Sequence, residues 1–217
     1  MWENQKHSFW QALIITLFVF GFGVLIGIFI ENSRAGVISD IYTQSEINLL
    51  DVDIQSQLLD LEWTNCETAV KQNIDYANQI YEDAKILENY GEASRISDSI
   101  IAQHKKYDLL RTLLWINSIK IKQNCDKSFS TIVYIYNYNP SNVNEISEQE
   151  IFSRFLGELK SEKGNTIILI PIAKNLGLNS VNSILEKYNI TKTAVIINEE
   201  IVIDSIDDLE KIQSYLN

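Results

Sequence analysis

Hydrophobic and polar positions follow three different patterns along this chain. Residues 8–30 contain no charged side chain and are almost continuously apolar, which is typical of a membrane-spanning helix. Residues 32–126 carry apolar side chains at helical spacings of three and four, and residues 127–217 alternate short β-branched runs with helical segments. The patterns predict an α+β protein with an N-terminal transmembrane anchor over residues 1–31, an α-helical stalk and antiparallel hairpin over residues 32–126, and a βαβαββα domain over residues 127–217.

The uncharged run is long enough to span a bilayer, because about 20 helical residues cross a hydrocarbon core of about 30 Å. A cleaved signal peptide is the alternative, with Ser33-Arg34-Ala35 as its small-residue site, but the apolar run exceeds the usual length of a signal peptide's apolar region. We therefore predict a single-pass membrane protein with the lipid bilayer as a partner. Gly23 and Gly27 form a GxxxG motif, which would allow a homodimer through close helix packing.

A helical stripe follows the anchor. Its members recur at spacings of three and four and comprise Ile47, Leu50, Ile54, Leu58 and Leu61. This spacing predicts a helix whose apolar face packs against the next helices. A short coiled-coil seam is the alternative, although the stripe covers barely two heptads.

Two further helices are predicted to form the hairpin. Thr64–Glu67 has the form of a capping box, so a helix should begin there and end near Gly91, followed by a second helix over residues 93–123. Antiparallel packing would bring Cys66 and Cys125 to one end, where they could form a disulfide. The alternatives are two buried free thiols and a redox-active pair. A disulfide would favour an oxidising compartment, and we therefore predict an extracytoplasmic C-terminal domain.

The C-terminal part is predicted to contain four strands and three helices. The strands comprise residues 131–136, 166–170, 193–197 and 201–204, with Pro171 helping to end the second. The helices begin at two capping boxes, Ser147–Glu150 and Ser205–Asp208, and at about Ser180. Alternation along the first strand and following loop predicts Tyr134, Tyr136 and Tyr138 on one side, packed under a helix.

The order β-α-β-α-β-β-α resembles the thioredoxin fold, and the resemblance is sharpest over Tyr188–Asn198 and the strand and helix that follow. Thr193 occupies the position of the cis-proline in thioredoxin-like proteins. The whole layout resembles a group of archaeal membrane-anchored proteins with a helical stalk and a terminal thioredoxin-like domain. In those proteins the first strand runs into a loop with a redox cysteine pair; the corresponding loop here consists of Asn137, Tyr138, Asn139, Pro140, Ser141 and Asn142.

A thioredoxin-like domain without the cysteine pair and the cis-proline implies a fold retained without its reaction. A dithiol oxidoreductase needs a thiolate nucleophile and a resolving thiol within reach, and this loop supplies neither. We therefore predict binding or scaffolding through an unidentified protein partner, with residues 137–142 as the interaction loop and no catalytic residue or cofactor. The alternative is a thiol–disulfide exchange accessory that uses Cys66 and Cys125.

Charge and motifs exclude other function classes. The net charge is −11 and no basic stripe occurs, which argues against nucleic acid as a partner because phosphate binding requires clustered Lys and Arg. The two cysteines and two histidines lack zinc-site spacing, so no metal site is predicted. His104 lies beside Lys105 and Lys106 on a predicted polar helix face, where we expect it to be solvated.

Overall fold

The structure, a computed structural model, describes residues 2–61, 65–91, 98–125 and 129–216. The chain divides into two units, Met1–Ile41 and Tyr42–Asn217. In the first unit, helix α1 (Trp2–Asp60) contains one segment, Ser8–Ile30, that is long and apolar enough to cross a membrane, with a mean hydropathy of 2.9. Its side chains are exposed rather than packed within the protein. The predicted N-terminal apolar helix is therefore present.

The second unit begins with the last part of α1 and two long helices, α2 (Cys66–Gly91) and α3 (Asp98–Asn124), which pack against each other. The start of α2 is capped by Asn65, whose Oδ1 accepts a hydrogen bond from the Thr68 N–H at 2.9 Å. Thr64, the predicted cap, lies outside the described residues. A buried hydrogen bond of 2.9 Å from Asn73 Nδ2 to Ser118 Oγ joins α2 to α3.

The predicted apolar stripe of α1 does not face the hairpin, so that prediction is wrong. The exposed fractions of Ile47, Leu50, Ile54 and Leu61 are 54%, 55%, 53% and 57%, and only Leu58 of the predicted stripe is half-buried. The buried face of the helix consists instead of Ser45, Leu49, Val52 and Ser56. Hydrogen bonds to α2 hold this face inward. Ser45 Oγ donates to Asp83 Oδ2 at 2.8 Å, and Asn48 Nδ2 donates to Gln79 Oε1 at 2.7 Å.

Four strands form one mixed sheet. They are β1 (Ser130–Tyr136), β2 (Ile167–Ala173), β3 (Ala194–Ile197) and β4 (Ile201–Ile203), in the spatial order β2-β1-β3-β4. Strand β1 is parallel to β2 and antiparallel to β3, and β3 is antiparallel to β4. Pro171 lies inside β2 rather than ending it. Proline is tolerated there because β2 is an edge strand, with one side free of ladder hydrogen bonds.

The elements between the strands cover the sheet. They are α4 (Val143–Lys163), a 3₁₀ turn (Gly164–Thr166), α5 (Asn179–Tyr188) and a final 3₁₀ helix (Ile206–Tyr215). One core forms where Phe152, Leu156 and Leu159 of α4 and Leu209 and Ile212 of the final helix pack against the sheet. Side chains on the other face of the sheet, including Val133, Ile135 and Ile170, are also buried. Helices α2 and α3 contact β2. The sheet is therefore buried on both faces.

One predicted helix start is wrong, and one predicted side-chain cap is absent. Helix α4 begins at Val143, one turn before the predicted box at Ser147, because the Asn142 side chain accepts a hydrogen bond from Asn144 N and supplies the cap. The final helix is of 3₁₀ type, and Ser205 occupies its N-cap position without a side-chain hydrogen bond. Its first turn is closed by the backbone, since Asp208 N donates to Ser205 O at 3.2 Å.

Candidate functional site at the carboxyl end of β1

Strands β1 and β2 end side by side, at Tyr136 and Ala173. The carboxyl ends of parallel strands form the edge where sheet proteins of this kind bind ligands. The predicted interaction loop, residues 137–142, follows Tyr136 directly. Thr193 precedes β3, whose first residue pairs with Ile135, so it lies at the same end and is buried. The fold thus places the predicted loop and Thr193 at one edge of the sheet.

Internal hydrogen bonds hold the loop. The Tyr138 N–H donates to Asn175 Oδ1 at 2.7 Å, and Asn175 Nδ2 donates to the Tyr138 carbonyl at 2.8 Å. Asn137 Nδ2 donates to Glu145 of α4, while Asn142 caps that helix. These groups fix the shape of the loop. Asn139, which has a φ of 51°, and Ser141 are exposed to solvent.

Two charged residues that the sequence did not single out lie beneath this edge. Asp108 and Arg111 of α3 are both buried, and Arg111 Nη1 lies 3.3 Å from Asp108 Oδ1. The other Asp108 oxygen accepts a hydrogen bond from the Ala173 N–H at 3.1 Å, which joins α3 to the end of β2. The Arg111 guanidinium lies 4.3 Å from the centre of the Tyr107 ring. The sequence signal that could have identified this pair is the spacing of three residues between Asp108 and Arg111 on an otherwise apolar helix face.

Burial shifts the ionisation of this cluster. It raises the pKa of Asp108 to about 6, although Arg111 and the Ala173 hydrogen bond act in the opposite direction. Burial also opposes the charge of Arg111, but the neighbouring Tyr107, Tyr136 and Asp108 raise the pKa of that guanidinium above its usual range. The pair is thus held by mutual attraction against a desolvation cost.

His104 lies between this cluster and the loop. Its ring centre lies 4.3 Å from that of Tyr138, and burial, followed by the charge of Arg111, lowers its pKa. The expectation of a solvated histidine was therefore wrong. Tyr134 meets the prediction of packing under a helix, since its hydroxyl donates to the Gln149 carbonyl of α4 at 3.1 Å. Tyr138 does not, because it contacts α3 instead.

The two cysteines form a disulfide, with Cα atoms 5.6 Å apart, that joins the start of α2 to the end of α3. Both are half-buried, and they line an open groove of about 770 Å³ with Val70, Ile74 and Asn165. Cys125 precedes β1, and Asn165 precedes β2, so the disulfide lies at the amino end of these strands. Strand β1 has seven residues, which separates this end from the loop by about 20 Å.

A polar network docks α3 onto the sheet near the disulfide. Lys122 Nζ lies 2.9 Å from Glu199 Oε2, 3.0 Å from Asn198 Oδ1 and 3.2 Å from Thr131 Oγ1. Trp115 Nε1 donates to the second Glu199 oxygen at 2.9 Å. Asn198 and Glu199 have φ values of 48° and 63°, which are those of the tight turn joining β3 to β4. The charge of Lys122 is thus neutralised in a largely buried position.

No protein-family model, curated protein or solved structure matches the chain. Within the described ranges, His, Cys, Asp and Glu form no group of three or more that could hold a metal ion. The carboxyl-end site has a hydrogen-bonded polar loop above a buried ion pair, and the two cysteines are joined at the other end of the sheet.

Proposed function

We propose that this protein is a single-pass membrane-anchored binding or scaffolding protein, whose C-terminal sheet domain is thioredoxin-like in fold and inactive in redox chemistry. The observation that carries the proposal is the separation of the two features. Cys66 and Cys125 are bonded at the amino end of β1, about 20 Å from the loop at its carboxyl end. Thiol chemistry at that loop would need a nucleophilic sulfur beside it.

The element order supports the fold assignment. After β1 come α4, β2, α5, β3 and β4, and a 3₁₀ helix ends the chain. This is the β-α-β-α-β-β order with a final helical element that the resemblance implies. Thr193 supports the inactive state, because a buried threonine takes the place that the resemblance assigns to the cis-proline.

The loop and the start of α4 supply a contact surface. Ser141 is exposed, Val143 is 73% exposed and Ile146 is also exposed. An apolar pair beside a hydrogen-bonded polar loop has the mixed character of a protein-binding surface. The disulfide supports an oxidising compartment for this domain, with Ser8–Ile30 as the anchor in the bilayer.

Two measurements test the proposal. The full chain in lipid nanodiscs should reduce insulin disulfides in dithiothreitol no faster than its Cys66→Ser/Cys125→Ser variant. A photo-crosslinking amino acid at Ser141, used in native membranes, should give a discrete protein adduct whose yield falls at least tenfold with Val143→Asp. Ile151→Asp is the matched control, since Ile151 is an exposed apolar residue of the same helix. Cysteine-dependent catalysis, or equal loss with both Asp variants, would contradict the proposal.

A second candidate is thiol–disulfide exchange at Cys66 and Cys125, which is favoured by their position in an open groove. A partner thiolate would attack one sulfur of the Cys66–Cys125 bond, form a mixed disulfide and release the other cysteine as a thiolate. The partner's second thiolate would then attack the partner's sulfur in the mixed disulfide and release the remaining cysteine. The partner would be oxidised and the pair of cysteines reduced. Rapid exchange with a thioredoxin-type dithiol would support this function. A bond that stays oxidised in glutathione buffers would support a structural role.

A further inference from the structure

The part of α1 within the second unit presents its apolar side outward. We call Ile47, Leu50, Ile54 and Leu61 the outward stripe; each is more than half exposed. At 100° per residue the stripe is centred about 160° from the buried face. The buried face combines two serines, Ser45 and Ser56, with Leu49 and Val52, so the helix buries two polar residues while it exposes an apolar row.

This orientation of the helix is held in place by specific contacts. Besides the bonds from Ser45 and Asn48, the Tyr76 hydroxyl donates to the Ser45 carbonyl at 3.1 Å within a buried environment. Rotating the helix to bury the outward stripe would break these bonds and leave buried polar groups of α2 without partners, which is costly. Apolar side chains grouped along one exposed helix face are typical of an interaction surface.

Acidic residues flank the stripe on both sides. Asp51 is exposed on one flank, and Asp53 and Glu46 lie on the other. Lys106 pairs with Glu46 at 2.5 Å, but the sequence has no Lys or Arg between Arg34 and Lys71. Charges beside an apolar helical seam select the partner by pairing across the interface. A second copy of this helix would place carboxylates against carboxylates.

We propose that the outward stripe binds an amphipathic helix of another protein, with a Leu/Ile seam flanked by Lys or Arg. This inference rests on the proposed function, a binding protein, and gives it a class of partner. From Ile47 to Leu61 the seam rises about 21 Å, which accommodates a helix of two heptads. The basic flanks would pair with Asp51 and Asp53.

The experiment uses the full chain in nanodiscs and three synthetic helical peptides of equal length. One has a Leu/Ile seam with Lys flanks, the second has the same seam with Glu flanks, and the third is a scrambled form of the first with equal charge. Fluorescence anisotropy should show the Lys-flanked peptide binding at least tenfold more tightly than the other two. Ile47→Ser/Ile54→Ser should weaken this binding at least tenfold. Leu109→Ser/Ile116→Ser is the matched control, because these residues of α3 are 45% and 42% exposed, and it should have no effect.

Charge reversal provides a second readout. Asp51→Lys/Asp53→Lys should transfer the preference to the Glu-flanked peptide. Equal binding of the scrambled peptide, or unchanged binding by Ile47→Ser/Ile54→Ser, would overturn the proposal. Self-association in sedimentation experiments that the same serine variant abolishes would also overturn it, by identifying a second copy as the occupant. The Ser141 adduct reports on a different surface, so failure of the stripe would leave that test of the proposed function standing.

Discussion

Different interactions attach α3 to the two ends of the sheet. At the amino end of β1, α3 is fixed by the Cys66–Cys125 bond and by the Lys122–Glu199 pair. At the carboxyl end it is fixed by Asp108, which pairs with Arg111 and binds the end of β2. Asp108 and Lys122 are about 21 Å apart along the helix, close to the length of β1. Helix α3 is therefore attached to the sheet at both ends of β1.

The two ends of the sheet should respond to different solution conditions. A covalent bond responds to reductant, whereas a buried carboxylate with a raised pKa responds to proton concentration. The amino end should therefore be redox-sensitive and the carboxyl end pH-sensitive. Substitutions at one end should leave the response of the other unchanged, which the cysteine and Asp108 variants test.

The largest effect is expected from the disulfide. Cys66→Ser/Cys125→Ser should lower the free energy of unfolding by about 4 kcal/mol, because the bond closes a loop of about 60 residues in the unfolded chain. Urea unfolding in detergent micelles, followed by near-ultraviolet circular dichroism, measures the change. Reductant should produce the same loss in the wild type and none in the variant. A loss below about 1 kcal/mol would mean that the bond does not hold the hairpin.

A smaller, pH-dependent effect is expected from Asp108. Its pKa is raised to about 6 in the folded protein, so its contribution to stability is present at low pH and is lost as pH rises from about 4 through 6. Asp108→Asn keeps an oxygen for the Ala173 N–H and should remove a fall of at most about 3 kcal/mol across this window. Urea unfolding at pH 4, 5, 6 and 7 checks it.

The controls for Asp108 are internal. His104 has a lowered pKa, so it acts in the opposite direction, costing stability as pH falls below its usual pKa. The part of its contribution that comes from burial, the larger cause, is common to the wild type and Asp108→Asn and cancels in their difference. Cys66→Ser/Cys125→Ser should retain the wild-type pH slope. Parallel slopes for the wild type and Asp108→Asn would show that the carboxylate is not responsible.

The smallest effect is expected where the loop meets α4. Asn142→Ala should lower the free energy of unfolding by about 1 kcal/mol, because it removes the hydrogen bond that caps the helix. Ser147→Ala is the matched control; it should have little effect, since Ser147 is an exposed position within the helix. Thermal unfolding of both variants measures the difference. A larger loss of stability for Ser147→Ala than for Asn142→Ala would indicate that Ser147, not Asn142, caps the helix.

The sequence by itself determined the features that depend on local pattern. The uncharged run before Glu31, the two helices of the hairpin and the positions of β1, β3 and β4 all follow from periodicity, apolar length and turn residues. The loop over residues 137–142 was also predicted from its composition. Its role in binding, the thioredoxin-like assignment and the domain boundaries stay predictions.

Only the tertiary structure decided which surfaces meet. The pattern of α1 showed that one side is apolar, but Asp83, Gln79 and Tyr76 of α2 bind the other side and turn the apolar side outward. Pro171 was expected to end β2, yet the strand continues because it lies at the edge of the sheet. Asp108 and Arg111 are distant in sequence from Ala173, and only the docking of α3 brings them to the end of β2. Periodicity describes a single element, whereas these outcomes depend on hydrogen bonds between elements.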